Sequence, residues 1–290
     1  MCIWPAPLQP ATSPGWCSPS QATQEPDMNR AIELEQAALY LDLDGTLVPL
    51  AQRPEQVALA SGTAELLLNL HAACQGAVAL VSGRDYASLQ QACCRLPLAM
   101  ISSHGAAMHD ADGQKCWNTP LNAAQHHSLS RAAATLIHPH PLVWMERKSH
   151  GLAVHFRQCP QLGDVLHSEL NMLCSDYPGF ELIRGHCVIE LRPAGVDKGQ
   201  ALARAHSLPP FADRKPIMAG DDLTDEAAFR FVNQQGGVSI RIGPPEPASA
   251  AQLCLPQPAD LLRLLQTSLL ETRFFSAAPL RSKDSQTAAP

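Results

Sequence analysis

Short, unbroken apolar runs alternate with helix-like segments along most of this chain, and that alternation leaves few folds open. Ala38–Leu43, Ala77–Val81 and Leu98–Ser102 read as strands. Between them, Ser61 reads as an N-cap ahead of Ala64, Leu67, Leu68 and His71, a helix that Gly76 closes. Tyr86–Cys94 reads as a second helix. Strands that are apolar on both faces need cover on both sides, which crossover helices supply. The middle of the chain changes character. Ala123–Ile137 and Leu162–Leu173 read as helices, and Val143–Glu146, Leu152–Arg157, Phe180–Ile183 and Cys187–Arg192 as closely spaced strands of an antiparallel α+β unit. After Gly195 the first pattern returns, with a helix from Lys198, strand Pro216–Ala219, helix Glu226–Gln234, strand Val238–Ile242 and helix Ala259–Leu270. The expected fold is α/β: a doubly wound parallel core at 31–111 and 194–272, with an α+β cap domain inserted at 112–193.

Composition narrows the functional classes. The 290 residues carry 21 Lys+Arg against 27 Asp+Glu, so the formal charge is 21 − 27 = −6. Without clustered basic runs this excludes a nucleic-acid surface. No apolar run approaches the roughly 20 residues that cross a bilayer, and a 46% hydrophobic content is ample for a core. The first 26 residues hold six of the 25 prolines and show no periodicity, so 1–30 is expected to be a disordered leader, with translation starting near Met28. Ser276–Pro290 is polar, and 273–290 is expected to be a flexible tail. Ten scattered cysteines without a C-x-x-C pair read as small thiols in a reducing, cytoplasmic setting. A monomer is the expected state.

Four short motifs carry the chemistry. Asp42-Leu-Asp44-Gly-Thr-Leu47 places two carboxylates where an apolar strand ends, the position at which open parallel sheets bind ligands. Two such carboxylates repel each other and need a cation or a shared proton. Gly220-Asp221-Asp222-Leu-Thr-Asp225-Glu226 follows another apolar strand, and its acids suit Mg²⁺, which takes oxygen ligands and keeps room for phosphate oxygens. Asp225 and Glu226 have a competing reading as first-turn acids of a helix. Ser82-Gly83-Arg84 ends the second strand as a candidate phosphate cradle, with a capping role for Ser82 as its alternative. Lys198-Gly199 opens a helix, where a cation is unfavourable unless it neutralises charge.

In this order the four pieces resemble the motifs of the haloacid dehalogenase-like (HAD) phosphohydrolases, which have a Rossmann-like core. The resemblance implies that Asp42 is the nucleophile and passes through an aspartyl-phosphate, and that Asp44 is the acid and base. It implies that Ser82 and Lys198 hold the phosphoryl oxygens, and that Mg²⁺ sits on Asp42, Asp221 and the Asp44 carbonyl, with Asp222 and Asp225 behind them. Gly83 and Arg84 belong to its substrate side. Glu146-Arg-Lys148, Val154-His155-Phe156-Arg157 and Gly185-His186-Cys187-Val188-Ile189-Glu190 are similar to the cap signature of trehalose-6-phosphate phosphatases. That likeness implies sugar contacts from Glu146, Lys148, Arg157, His186 and Glu190, although the same residues also suit a solvated strand face. Here Ala107, Ser149 and His186 depart from the family's usual Glu, Gly and Lys or Arg. The implied activity is Mg²⁺-dependent release of phosphate from trehalose 6-phosphate, with trehalose-6-phosphate synthase as a partner in view. Phosphatases of sucrose phosphate or mannosyl-phosphoglycerate, a phosphomutase, and a non-catalytic regulatory subunit of the synthase are the alternatives.

Overall fold

A computed structural model describes residues 31–51, 56–185, 187–246 and 248–274. The leader 1–30, the segment 275–290 and His186 lie outside the described residues.

Two sheets organise the chain. Strands β1 (Ile32–Glu33), β2 (Ala37–Asp42), β3 (Val78–Val81) and β4 (Ala99–Ser102) are followed by β5 (Ala107–His109) and β6 (Lys115–Asn118). Helices α1 (Ser61–Ala73) and α2 (Tyr86–Ala92) make the first crossovers. The middle of the chain gives α3 (Ala123–Ile137), β7 (Trp144–Lys148), β8 (Gly151–His155), α4 (Gly163–Ser175), β9 (Phe180–Gly185) and β10 (Val188–Pro193). The chain then continues through α5 (Lys198–His206), β11 (Lys215–Gly220), α6 (Glu226–Gln234), β12 (Val238–Ile242), β13 (Leu253–Leu255), α7 (Pro258–Glu271) and β14 (Arg273–Phe274).

The larger sheet has the order β13-β12-β11-β2-β3-β4-β5-β6, parallel from β13 to β4. Every residue of β2 is buried, because a central parallel strand is covered on both faces. Chain order reverses beside β2, whose neighbours β11 and β3 come from opposite halves of the core. That switch point is where the carboxyl ends of the strands leave a crevice. The smaller sheet, β7-β8-β10-β9, is antiparallel throughout. Leu152, Val154, Ile189 and Leu191 pack from one of its faces onto Leu129, Ala133, Leu166 and Leu170 of α3 and α4, a hydrophobic cluster separate from that of the larger sheet.

Four sequence expectations are corrected. Lys115–Asn118, assigned to the cap, is the edge strand of the larger sheet and pairs antiparallel with β5. Only Trp117 of that strand is buried, and its indole N–H donates to the Gly105 carbonyl at 3.1 Å, so four residues with one apolar anchor leave almost no periodic signal. Ser61 is the first residue of α1 and not its cap. Leu59 donates to the Ala92 carbonyl at 2.9 Å, which sets the entry of the chain so that the cap position falls on Ala60. The second helix ends at Ala92, two residues short of Cys94, because Cys94 and Arg95 turn left-handed. Arg273 and Phe274, assigned to the flexible tail, pair with Glu33 and Ile32, and Phe274 is fully buried. One apolar ring outweighs the polar composition around it.

Because the two clusters share no buried side chain, they should respond separately to damage. Leu170→Ala should cost about 2–5 kcal/mol locally. Hydrogen exchange should then accelerate across 123–193 while β2, β3 and β11 stay protected; uniform acceleration would mean that the two clusters unfold as one.

Candidate active site

Lys198 stands at the centre of the switch-point crevice. Asp197 caps α5 by accepting from the Gln200 N–H, which aims the first helical residue, Lys198, at the ends of β2 and β11. Only 2% of Lys198 is exposed. Its Nζ donates to Asp42 Oδ1 at 2.8 Å and to Asp225 Oδ1 at 2.6 Å. Asp42, Asp221 and Asp225 each offer a carboxylate oxygen, and these lie within 4.8 Å of one another. Asp225 Oδ2 also accepts from the backbone N–H groups of Asp221 and Asp222, both at 3.1 Å, so Asp225 folds the loop as well as balancing Lys198.

The glycines that open these loops have no room for a side chain. Gly45 has φ +84°, and a Cβ there would fall 2.0 Å from Asp221 Oδ2. A Cβ on Gly220 would fall 2.3 Å from Asp225 Cγ. The absence of side chains at these two positions lets the carboxylates of two different motifs approach.

With all three carboxylates ionised, the cluster holds three negative charges against one ammonium, 1 − 3 = −2. Burial pushes the Asp42 carboxyl well above its usual range, with Asp225 and Asp221 adding to the effect and Lys198 opposing it. Burial and then the neighbouring Asp225 push Asp221 up to about 7. Burial alone would weaken the Lys198 charge, but Asp225 and Asp42 outweigh it and keep the ammonium protonated. An oxygen-only donor set with a charge deficit of two fits a hard divalent cation such as Mg²⁺.

Asp44 sits apart from this cluster. Its two oxygens take Arg84 Nε and Nη2, each at 2.7 Å, in a bidentate pair, and Arg84 Nη1 also donates to Ser88 Oγ at 3.2 Å. The chain leaves strand geometry after Asp42, which lets Asp44 turn to Arg84. Ser82, buried at the end of β3, accepts from the Arg84 N–H at 3.2 Å. Asp222 is exposed and caps the turn after β11 by accepting from the Leu223 N–H at 2.7 Å. Glu226 accepts from Ser249 Oγ at 2.6 Å and the Ala250 N–H at 2.7 Å, which pins a distant loop.

The smaller sheet supplies the other wall. Lys148 Nζ donates to the Gly83 carbonyl at 3.2 Å and to Glu190 Oε1 at 2.5 Å. Burial would raise the Glu190 carboxyl, but Lys148 and His104 hold it well below the usual range. Glu146, next along β7 on the same face, has Oε2 3.0 Å from His155 Nε2. Arg157 is further away, donating to the Ala51 carbonyl at 3.2 Å. The face that carries Lys148 and Glu190 is therefore turned toward the larger sheet and held to it at both ends.

His104 has no role in the sequence reading. Its Nε2 lies 2.5 Å from Glu190 Oε2, and its ring covers Gly83, where a Cβ would come within 2.3 Å of that nitrogen. Ser103 and His104 both have positive φ, +51° and +56°, so a tight left-handed turn delivers the ring. The available signal was positional: a polar Ser-His-Gly turn at the carboxyl end of the third parallel strand.

Comparison with known proteins agrees with this geometry. The family model "Trehalose-phosphatase" matches residues 40–256. A trehalose-6-phosphate phosphatase of Escherichia coli K12 is 35% identical over 239 residues, covering 81% of this chain and 89% of its own length. A probable trehalose-phosphate phosphatase of Sinorhizobium fredii is 39% identical over 254 residues, covering 85% and 93%. The C-terminal domain of the Candida albicans trehalose-6-phosphate phosphatase shares the fold, with a TM-score of 0.73 at 22% identity over 82% of this chain and 93% of that one. The sheet order, the acid cluster and these matches converge, and the chain belongs to the trehalose-phosphatase family of HAD phosphoric monoester hydrolases.

Proposed function

We propose that this protein hydrolyses trehalose 6-phosphate to trehalose and phosphate, as a cytoplasmic Mg²⁺-dependent enzyme with an aspartyl-phosphate intermediate. The observation that carries the reading is the Asp42–Lys198–Asp225–Asp221 cluster, together with a Lys148–Glu190 pair held to Gly83 in the loop after the neighbouring strand β3. In this reading the phosphoryl site lies at the ends of the core strands and the polyol site on the cap sheet. We take 119–193 as the cap, a range that leaves Lys115–Asn118 with the core.

Asp42 Oδ attacks phosphorus in line as the bond from phosphorus to the sugar oxygen breaks. Asp44 gives that departing oxygen its proton. A water then attacks phosphorus and gives its proton to Asp44, so phosphate leaves and both carboxyl groups return to their starting forms. Lys198 offsets charge on the transferring phosphoryl group, and Ser82 donates to one of its oxygens. Asp42, Asp221 and the Asp44 carbonyl would hold Mg²⁺, which neutralises charge along the transfer path. Asp44 must leave Arg84 before it can act, because both its oxygens are engaged by the guanidinium. An arriving phosphate is an anion that Arg84 can take in exchange. In the cap, Lys148, Glu190 and Glu146 give sugar hydroxyls charged partners, which would be left unpaired by an analogue lacking those hydroxyls.

The direct test is phosphate release from trehalose 6-phosphate with Mg²⁺, measured beside glucose 6-phosphate and sucrose 6-phosphate. Preference for trehalose 6-phosphate is expected. Preference for sucrose 6-phosphate would move the substrate assignment, and no release from any of them would overturn the enzymatic reading.

Asp42→Asn should lower kcat by about three orders of magnitude or more while the far-ultraviolet circular dichroism stays that of the wild type. Activity surviving that change would remove Asp42 as nucleophile. Metal affinity should also depend on pH in a defined direction. Asp221 holds its proton up to about 7 in the metal-free protein, so Mg²⁺ must displace a proton near neutrality. Calorimetry in buffers of different ionisation enthalpy should record proton release at pH 7. Affinity should weaken as pH falls below that value, and a pH-independent affinity would contradict the assignment.

A further inference from the structure

Trp144 is the exposed aromatic residue of the cap sheet, with 40% of its surface accessible. It stands on the strand that also carries Glu146 and Lys148. Its direction is settled by the strand register. Trp144, Glu146 and Lys148 alternate along β7 and therefore share a face, and across the sheet they pair with His155, Ala153 and Gly151. Glu190 pairs with Ala153 on that same face and meets Lys148. Lys148 reaches the Gly83 carbonyl, so this face overlooks the phosphate loop.

The ring is also held in place. His155 stacks against the Trp144 indole with centroids 3.9 Å apart and planes 13° from parallel, and His155 Nε2 is 3.0 Å from Glu146 Oε2. One indole face is thereby packed by an imidazole that a carboxylate orients. The result is a fixed aromatic slab with a carboxylate beside it. A pyranose ring has a face of C–H bonds and an edge of hydroxyls, the complementary arrangement.

Distance selects which ring. At about 3.3 Å per residue, Trp144 lies roughly 13 Å along the strand from Lys148, and Glu146 about half as far. Two pyranose rings laid end to end from the phosphate loop span that length. A single ring held at Lys148 and Glu190 stops short of the indole.

We propose that Trp144, backed by His155, is the platform for the second, unphosphorylated ring of a disaccharide phosphate, and so a residue that separates two-ring from one-ring substrates. The proposal rests on the trehalose 6-phosphate reading and adds a specificity contact to it. The apolar stacking strengthens binding of the two-ring ester alone, whereas Lys148 and Glu190 serve both kinds.

The test is the ratio of kcat/KM for trehalose 6-phosphate to that for glucose 6-phosphate, in wild type, Trp144→Ala and Trp144→Phe. Loss of one apolar contact should lower the ratio about tenfold in Trp144→Ala, through KM for the disaccharide ester, and Trp144→Phe should restore most of it. Wild-type circular dichroism of both variants would show that the edge strand has kept its structure. An unchanged ratio, or an equal loss on both substrates, overturns the platform and leaves the substrate reading standing. A wild-type enzyme without preference for the two-ring ester overturns both.

Discussion

Three carboxylates gathered around one ammonium at a sheet switch point constrain the rest of the molecule. Asp42 ends β2, Asp221 and Asp225 share the loop after β11, and the three would repel one another in any open arrangement. Lys198 offsets one charge of the three, and the raised Asp42 and Asp221 carboxyls record the imbalance that remains. Such a cluster survives folding because the strands beneath it are fixed by burial from both sides. It also demands glycine at 45 and 220, where a single extra carbon would meet a carboxylate.

The second constraint is the clamp between the two sheets. Lys148 on the Gly83 carbonyl, Glu190 against His104, and Arg157 on the Ala51 carbonyl join the cap sheet to three loops of the core. His104 belongs to both halves of the problem, since it packs on Gly83 while touching a cap acid. Every one of these contacts is polar, whereas each sheet keeps its own apolar cluster. Polar contacts can exchange for substrate and water at little cost, and buried apolar ones cannot. The division suits a cleft that has to admit a phosphorylated sugar and release its products.

Legibility in the sequence followed the range of the signal. Strands and helices of the core were readable from apolar periodicity, and α3, α6 and β12 have the expected bounds. The acids and Lys198 were readable because charge at the end of an apolar strand needs a reason. Asp225 shows the limit: read as a metal-side acid or a first-turn acid of a helix, it also pairs with Lys198 and accepts from the Asp221 and Asp222 N–H groups, contacts that spacing does not announce. His104 stayed hidden since its place depends on a left-handed turn, a backbone state that composition does not announce for a Ser-His pair. Phe274 and Trp117 were missed for the opposite reason, as strands of two and four residues are too short to set a period.

What the amino-acid sequence determined by itself was local: which segments pair as buried strands, where helices begin, and which charged groups stand at strand ends. Those follow from residue spacing and from the penalty for burying charge. Only the tertiary structure decided that Lys198 bridges Asp42 and Asp225, that Asp44 is held by Arg84, and that Lys148 of the cap reaches the Gly83 carbonyl of the core. Each of these depends on strand order and register between segments tens of residues apart, and one residue of slip would turn the same side chains to the opposite face.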